Sequence, residues 1–484
     1  MTNYNLVILG GGSAGLVVAS VAAQLQAKVV LIERDRLGGD CLWHGCVPSK
    51  ALIEAARAVY QINQAQKFGI QVSQVKIDFA QVMAHVHHAI AQIQPHDSPE
   101  RFRSLGVEVL FGSGEFINPH AFQLQDRLLT ANAFVIATGS RPQIPAISGL
   151  DQVPYLTNRT IFDLQELPES LIILGGGAIA CELGQAFSRL GTQVTILTRG
   201  DRLLSKEEPE ISQLVEAQFR QEQITLVKNC QINQISAHNT QISVATAQAN
   251  YSATHLLLAT GRLPNLEGLN LSAAQVKYSD RGILVNAFLQ TSNAKIYACG
   301  DVIGQMNFTH AAGTAAATVA QNALFFPSSK MNWQIVPWAT FTDPEIAHLG
   351  LTEAEALAQY PQIQVLQTPY SQVDRAQAAA ETTGFAKIIC RANGEILGAH
   401  LVGAIAGELI HEIKLAMQAK LKVSALSSIH IYPTLAEIVS KTALQRSKQN
   451  YSQNHRLQGF LRQVFDLKRK WLGSSAILKK IKQS

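Results

Sequence analysis

An α/β fold built on two parallel sheets of the dinucleotide-binding kind is predicted by three observations. A strand, a glycine turn, a helix pattern and a second strand open the chain at "NLVILGGGSAGLVVASVAAQLQAKVVLIE". The same pattern recurs at "SLIILGGGAIACELGQAFSRLGTQVTILTR". The composition, 47% hydrophobic and 15% charged with 33 glycines, is that of a packed α/β protein and not of a disordered or fibrous chain. With 484 residues the chain is too long for one core, and about 150 residues per domain gives roughly three domains.

In the first βαβ unit, Gly10, Gly12 and Gly15 stand at the G-x-G-x-x-G spacing. The first makes the turn, the second lets the backbone approach a pyrophosphate, and the third lets helix and strand pack closely. The helix amino terminus then faces the phosphates. Glu33 ends the second strand, where a carboxylate accepts hydrogen bonds from ribose hydroxyls. Glycines also make ordinary tight turns, so the signal lies in the conjunction of strand, spacing, helix and terminal acid.

The second copy places Gly175, Gly177 and Ala180 at the three positions, which implies two dinucleotide sites. Thr198 stands where Glu33 stood, followed by Arg199. An acid there would repel a 2′-phosphate that Arg can bind, so NADPH is favoured over NADH; the alternative is a solvated Arg199 and a site that takes either. Two further runs match each other, "AFVIATGSRP" with Thr138 and Gly139, and "HLLLATGRLP" with Gly261. Each reads as a strand ending in a glycine turn where a cofactor-binding segment leaves its domain. In "KIYACGDV" a strand delivers Asp301 to the helix pattern "THAAGTAAATVAQNAL", at a place suited to a ribityl or phosphate contact.

Six cysteines are too few and too scattered for a disulfide framework, and the opening residues show no basic segment or cleavage site, so a cytoplasmic protein is expected. The apolar stretches are short or broken by Gln and Lys, and none is expected to cross a bilayer. Residues 451–484 hold eight Lys/Arg against one Asp, which accounts for more than the whole formal charge of +5 and leaves the body nearly neutral. A nucleic-acid surface on that body is not expected.

Cys41 and Cys46 lie close together in "GGDCLWHGCVPSK", ahead of a helix pattern that starts at Pro48. A zinc site needs a second Cys or His pair at similar spacing, and none follows, so no metal site is expected. A helix amino terminus lowers a thiol pKa, which favours a thiolate nucleophile and a reversible disulfide. Two inert buried cysteines are the remaining alternative.

With these residues in view, the chain resembles the flavin-dependent pyridine nucleotide–disulfide oxidoreductases, the group of dihydrolipoamide dehydrogenase, glutathione reductase and mercuric reductase. The likeness runs from about residue 4 to residue 445 and rests on "GGDCLWHGCVPSK", "GGGAIACELG", "ACGD" and "TFTDPEIAHLGLTEAEA". It implies two Rossmann-like domains, one for FAD (residues 1–150 and 273–335) and one for NAD(P) (151–272). An α+β dimerisation domain (336–450) of a homodimer and a basic amphipathic tail (451–484) complete the expected organisation. It implies that NADPH passes hydride to FAD, which reduces a Cys41–Cys46 disulfide. Cys46 is then the thiolate against the flavin, and Cys41 the exposed thiol that attacks a small-molecule oxidant. Lys50 and Glu182, at the family's positions, are implied to pair beside the flavin, where the lysine charge stabilises its reduced form.

One departure limits what carries over. Close relatives have His-Pro-Thr and then Glu near the carboxyl end, with the His, reached from the partner subunit, as acid–base. Here "HIYPTLAE" puts Tyr432 at that place and keeps Glu437. A Tyr of pKa about 10 is a poor proton acceptor at neutral pH, so its hydroxyl is the remaining proton donor. An aromatic group at this place is a feature of the mercuric reductase branch, toward which the resemblance tilts, although the chain ends "KKIKQS" without the paired terminal cysteines of those enzymes. In "RLQGFLRQVFDLKRKWLG" apolar residues recur at helical spacing among cations, a pattern suited to an anionic membrane surface or to packing on the dimer.

Overall fold

The computed structural model describes residues 3–473, which divide into two compact units. The first runs to Trp333 and includes Thr340–Thr342; the second comprises Gln334–Ala339 and the residues from Asp343 onward.

In the first unit, continuous apolar runs become strands buried on both faces, as parallel sheets covered by helices require. Strand Tyr4–Leu9 pairs in parallel with Val29–Glu33 on one side and Arg127–Ile136 on the other, with Leu9 opposite both Ile32 and Ile136. Glu108–Phe111 extends the sheet beyond Val29–Glu33, and Ile296–Ala298 extends it beyond Arg127–Ile136. A segment remote in sequence therefore completes the first sheet. Helix Ser13–Gln24 turns Ala14, Gly15, Val18, Ala19 and Ala22 inward and packs against helix Thr309–Leu324, which is equally rich in alanine. Small side chains on both allow the close approach.

The second sheet of this unit runs Thr225–Val227, Gln193–Leu197, Ser170–Leu174, His255–Leu258, all parallel. The matching runs of sequence meet: Ser140–Pro142 and Arg262–Pro264 form an antiparallel pair with Arg141 opposite Leu263. Helix Cys46–Gln64 is tied to the second sheet's helices by Arg189, whose guanidinium pairs with Glu222 at 2.7 Å and stacks 3.7 Å from the Tyr60 ring. Gln218 Nε2 donates to the Tyr60 hydroxyl at 3.2 Å. Both charges of the Arg189–Glu222 pair are buried, so losing one partner would strand the other in a low-dielectric site.

The second unit is an antiparallel sheet in which Glu345–Gly350, Ile396–Gly403, Phe385–Arg391 and Ile363–Pro369 are successive neighbours. Helices Ala406–Gln418 and Glu437–Gln453 bury Ile410, Ile413, Ile438 and Val439 in its core. "LTEAEA" opens helix Glu353–Gln359 through a capping box between Thr352 and Glu355. Helix His455–Gly473 follows Glu437–Gln453. Among the described residues no helix is long and apolar enough to cross a membrane.

Candidate active site

The two glycine turns form matching cradles. Gly10 has φ +106°, and a Cβ there would lie 2.4 Å from the Ala137 carbonyl oxygen; at Gly175, φ +135°, it would lie 2.2 Å from that of Ala259. A Cβ on Gly15 would strike the Gly10 carbonyl oxygen at 1.8 Å, so helix and strand touch there as the spacing predicts. Ala180, the third position of the second cradle, is fully buried, and Gly177 faces open space.

Glu33 accepts from the backbone N–H of Gly11 at 2.7 Å and of Asp35 at 2.9 Å, which fixes the carboxylate under the first turn. At the equivalent place Thr198 is buried and its hydroxyl accepts from the Gly200 N–H at 3.2 Å. Arg199 is exposed beside it.

The cysteines occupy consecutive helices. Cys41 lies within Gly39–His44, and Cys46 is the first residue of Cys46–Gln64, with Gly45 at the joint. The helix thus begins two residues before the expected Pro48. Pro48 sits in the first turn, where backbone N–H groups lack intrahelical partners and a missing one costs nothing. A Cβ on Gly45 would approach the Asp40 carbonyl oxygen at 2.9 Å and Cys41 Cα at 3.2 Å, so the bare joint lets the second helix fold back against the first.

Both sulfurs are free thiols. The Cys41 S–H donates to Cys46 and keeps its own proton, its pKa raised by that bond and by burial. Cys46, and not Cys41 as expected, is the exposed one of the two; its pKa is pushed down to about 6, first by the hydrogen bond from Cys41, then by the Thr309 hydroxyl and the Lys50 charge, against partial desolvation by its neighbours. Thr309 Oγ1 lies 3.4 Å from Cys46 Sγ and opens helix Thr309–Leu324. Two helix amino termini therefore meet at one sulfur.

Lys50 Nζ pairs with Glu182 Oε2 at 2.8 Å, and Glu182 Oε1 accepts from the Phe341 N–H at 2.9 Å. The Lys50 ammonium lies 4.4 Å from the Phe341 ring centroid. Glu182 belongs to helix Ala178–Arg189 behind the second cradle, so this pair joins the two nucleotide-binding layers next to the thiols.

A polar knot joins the segments that leave those layers. Asp301 Oδ2 accepts from Ser140 Oγ at 2.6 Å, and Arg262 lies 3.7 Å from the same oxygen. Arg262 Nη2 also pairs with Asp40 Oδ2 at 2.7 Å, and Asn158 Nδ2 donates to that oxygen at 3.0 Å. Burial raises the Asp301 pKa. Asp40 Oδ1 is buried without a hydrogen-bond partner. A ligand that brings hydroxyl donors would satisfy it.

Thr138 Oγ1 donates to the Asn265 carbonyl at 2.8 Å, Gly139 has φ +69°, and Gly261 has φ +123°, so these residues shape the exits of the two segments. Tyr432 and Glu437 are carried by the second unit. Tyr432 is exposed, and its hydroxyl donates to Asp374 Oδ2 at 3.0 Å; that carboxylate raises the phenol pKa. His430 is held by Glu412 at 3.1 Å and by the Ser428 carbonyl at 3.0 Å. Glu437 opens helix Glu437–Gln453 with Oε2 buried and without a hydrogen-bond partner.

Sequence reasoning missed Asp40, Asn158, Ser140, Arg262, Thr309 and Phe341. Asp40, Thr309 and Phe341 lie inside stretches already singled out without being given a role, and Ser140 and Arg262 lie inside the two matching runs. Phe341 acts through its backbone and ring, which leaves no pattern in sequence.

Two glycine turns of the dinucleotide-binding kind, in one unit with a pair of free cysteines, define a nucleotide-linked dithiol oxidoreductase. Residues 4–316 match the family model described as pyridine nucleotide-disulphide oxidoreductase, and residues 336–443 match its dimerisation domain. The chain belongs to the pyridine nucleotide–disulfide oxidoreductase family. It is 35% identical to a mercuric reductase of Staphylococcus aureus over 454 residues, 92% of this chain and 83% of that protein. It is 32% identical to a dihydrolipoyl dehydrogenase of Chlamydia pneumoniae over 448 residues, 91% of this chain and 96% of the other. The fold is similar to the Cu(II) complex of the HOCl-induced flavoprotein disulfide reductase RclA from Escherichia coli, with TM-score 0.83 and 27% identity over 92% of this chain and 100% of that one.

The protein is accordingly a flavin-dependent NAD(P)H oxidoreductase of a family that binds FAD and a pyridine nucleotide and dimerises through the matched domain. The residues present fit both groups: two bare turns leave room for pyrophosphates, and the buried Asp40 oxygen awaits a donor.

Proposed function

We propose that this chain is a homodimeric, FAD-dependent enzyme that oxidises NADPH and, through Cys41 and Cys46, reduces a small disulfide, a thiophilic metal ion or another small oxidant, as a mercuric reductase-like member of its family. The observation that carries the reading is the setting of Cys46: it is the first residue of one helix and lies 3.4 Å from the Thr309 hydroxyl that opens another, and the Cys41 thiol and Lys50 ammonium join in lowering its pKa to about 6. A structural cysteine has no need of such an environment; Cys181, buried and near Glu182, is pushed the other way.

FAD is assigned to Gly10, Gly12, Gly15, Glu33, Thr138, Gly139 and Asp301, within residues 1–150 and 273–335. NADPH is assigned to Gly175, Gly177, Ala180, Arg199 and Gly261, centred on residues 151–272. When bound, FAD supplies two-electron transfer between the nicotinamide and the disulfide. Reduction of the Cys41–Cys46 disulfide takes two electrons and one proton and leaves Cys46 as thiolate and Cys41 as thiol, the pattern their hydrogen bond already favours. Glu182 holds Lys50 so that its charge stabilises the thiolate. Cys41 then passes its proton to the Cys46 thiolate and attacks the oxidant as a thiolate; with a disulfide acceptor the first thiolate leaves and is protonated, and Cys46, giving its proton to the second, displaces that one from Cys41 and re-forms the disulfide. The other four cysteines are buried, so the exchange is confined to this pair.

Tyr432 and Glu437, presented by a partner subunit, serve the leaving thiolate. With its pKa raised by Asp374, Tyr432 stays protonated at neutral pH and acts as donor, not as base. Tyr432→Phe is expected to lower turnover with a disulfide acceptor roughly tenfold to a hundredfold without changing reduction of the enzyme by NADPH. Unchanged turnover in steady-state assays removes Tyr432 from the mechanism.

The coenzyme assignment rests on Arg199 beside a neutral Thr198. An Arg–phosphate hydrogen bond contributes about 1.5–3 kcal/mol, so Arg199→Ala should raise the KM for NADPH by about tenfold to a hundredfold and leave that for NADH nearly unchanged. Anaerobic titration with each coenzyme, followed by a screen of oxidised lipoamide, glutathione disulfide, mercuric ion and quinones, tests the whole assignment. Preference for NADH together with rapid turnover of lipoamide would instead make this a dihydrolipoyl dehydrogenase. The reading extends to a cytoplasmic enzyme that reaches a membrane peripherally, through the basic terminal helix.

A further inference from the structure

Helix His455–Gly473 lies beyond the residues that match the two family models. The dimerisation-domain match ends at residue 443, and the RclA structure is covered over 100% of its chain by 92% of this one. Its apolar residues are exposed: Phe460 at 61%, Phe465 at 53%, Leu467 at 67%. We propose that this helix is a surface anchor that lies flat in the headgroup layer of an anionic phospholipid bilayer. The proposal deepens the peripheral-contact reading and stands apart from the redox chemistry.

The placement of charge decides the occupant. At about 100° per residue, Leu457, Phe460, Leu461, Val464, Phe465, Leu467 and Trp471 fall within one arc of roughly 160°. Arg456 and Lys470 border one edge of the arc, and Arg462 and Arg469 border the other. Asp466 lies opposite the arc and pairs with Arg469. Lys468, within the arc, can run its stem along apolar surface and return its ammonium to the headgroups. Cations along both edges of an apolar face suit a helix half-sunk among anionic headgroups.

A second copy of the helix fits poorly, because facing the two apolar arcs would bring like-charged edges together. Spanning is excluded by the same charges: the helix has 19 residues, with cations spread along it.

The test uses the full-length, FAD-loaded enzyme and sedimentation with phosphatidylcholine vesicles, with or without phosphatidylglycerol. Partitioning onto the phosphatidylglycerol vesicles should be at least about tenfold stronger and should fall as salt rises. Replacing Arg462, Lys468, Arg469 and Lys470 by Gln should weaken it by more than about a hundredfold, at roughly fivefold per charge. Phe460→Ser with Phe465→Ser should weaken it as well, because the buried apolar area is lost. Equal partitioning onto both kinds of vesicle, or onto neither, overturns the proposal. So does a change of oligomeric state in the Phe→Ser variant without vesicle binding by the parent, since that would make a second copy the occupant. Reduction by NADPH, followed by absorbance, should be the same in parent and variants, so failure of the anchor and failure of the redox reading register in different measurements.

Discussion

Cys46→Ser, reduced anaerobically with NADPH, shows no long-wavelength thiolate-to-flavin absorbance at any pH, whereas the unaltered enzyme gains that band as pH rises through about 6. The sign follows from the ionisation: Cys46 is lowered from 9.0 to about 6, so it carries its charge at neutral pH and loses it when protonated below about 6. A serine hydroxyl does not ionise in this range and cannot form a disulfide. Turnover with any acceptor falls by more than about a thousandfold, because the covalent relay is broken. FAD should stay bound, since the cradle glycines are untouched. Cys41→Ser makes the matched control: its hydroxyl can still donate to Cys46, so the band persists, even without reductant, while exchange with acceptor stops. A band of unchanged intensity in Cys46→Ser would refute the assignment.

Gly15→Ala is expected to be as damaging to the first nucleotide-binding layer as Cys46→Ser is to the chemistry. The added Cβ would sit 1.8 Å from the Gly10 carbonyl oxygen, and that oxygen belongs to a turn with no room to retreat, since a Cβ on Gly10 would itself meet Ala137 at 2.4 Å. Overpacking against side chains costs about 1–3 kcal/mol, and a clash with pinned backbone lies at or above the top of that range. Thermal unfolding should move down by several degrees or more, and the purified protein should lose its flavin absorbance. Gly177→Ala is the contrast. Nothing lies within 4 Å of a Cβ there and φ is −87°, so stability should change by less than about 0.5 kcal/mol. A weaker affinity for NADPH would then report the close approach of the coenzyme alone. Equal stability of Gly15→Ala and the parent would show that helix and strand do not meet at this glycine.

Much of the site was legible because its parts are local. Gly10, Gly12 and Gly15 lie within one turn, Cys41 and Cys46 within one short segment, and the helix from Thr309 to Leu324 has the bounds its alanine pattern predicts. Contacts between distant segments were not legible from the residues themselves, and the Lys50–Glu182 pair was reached only through the family resemblance. Arg262 reaches Asp40 and Asp301 only because the two matching runs pair as strands, and Thr309 reaches Cys46 only because its helix packs against the first one. The start of the second cysteine helix was misplaced by two residues, since Pro48 marks the first turn of a helix without saying which of its positions it holds.

The order of residues alone determined two nucleotide cradles, a pair of cysteines at a helix start and a cationic amphipathic end, because turns, helix starts and amphipathic faces are set by near neighbours. Which sulfur carries the charge was decided by tertiary structure. A thiol pKa responds to every donor and cation within a few ångströms, and Cys41, Thr309 and Lys50 gather around Cys46 only once the first unit has folded.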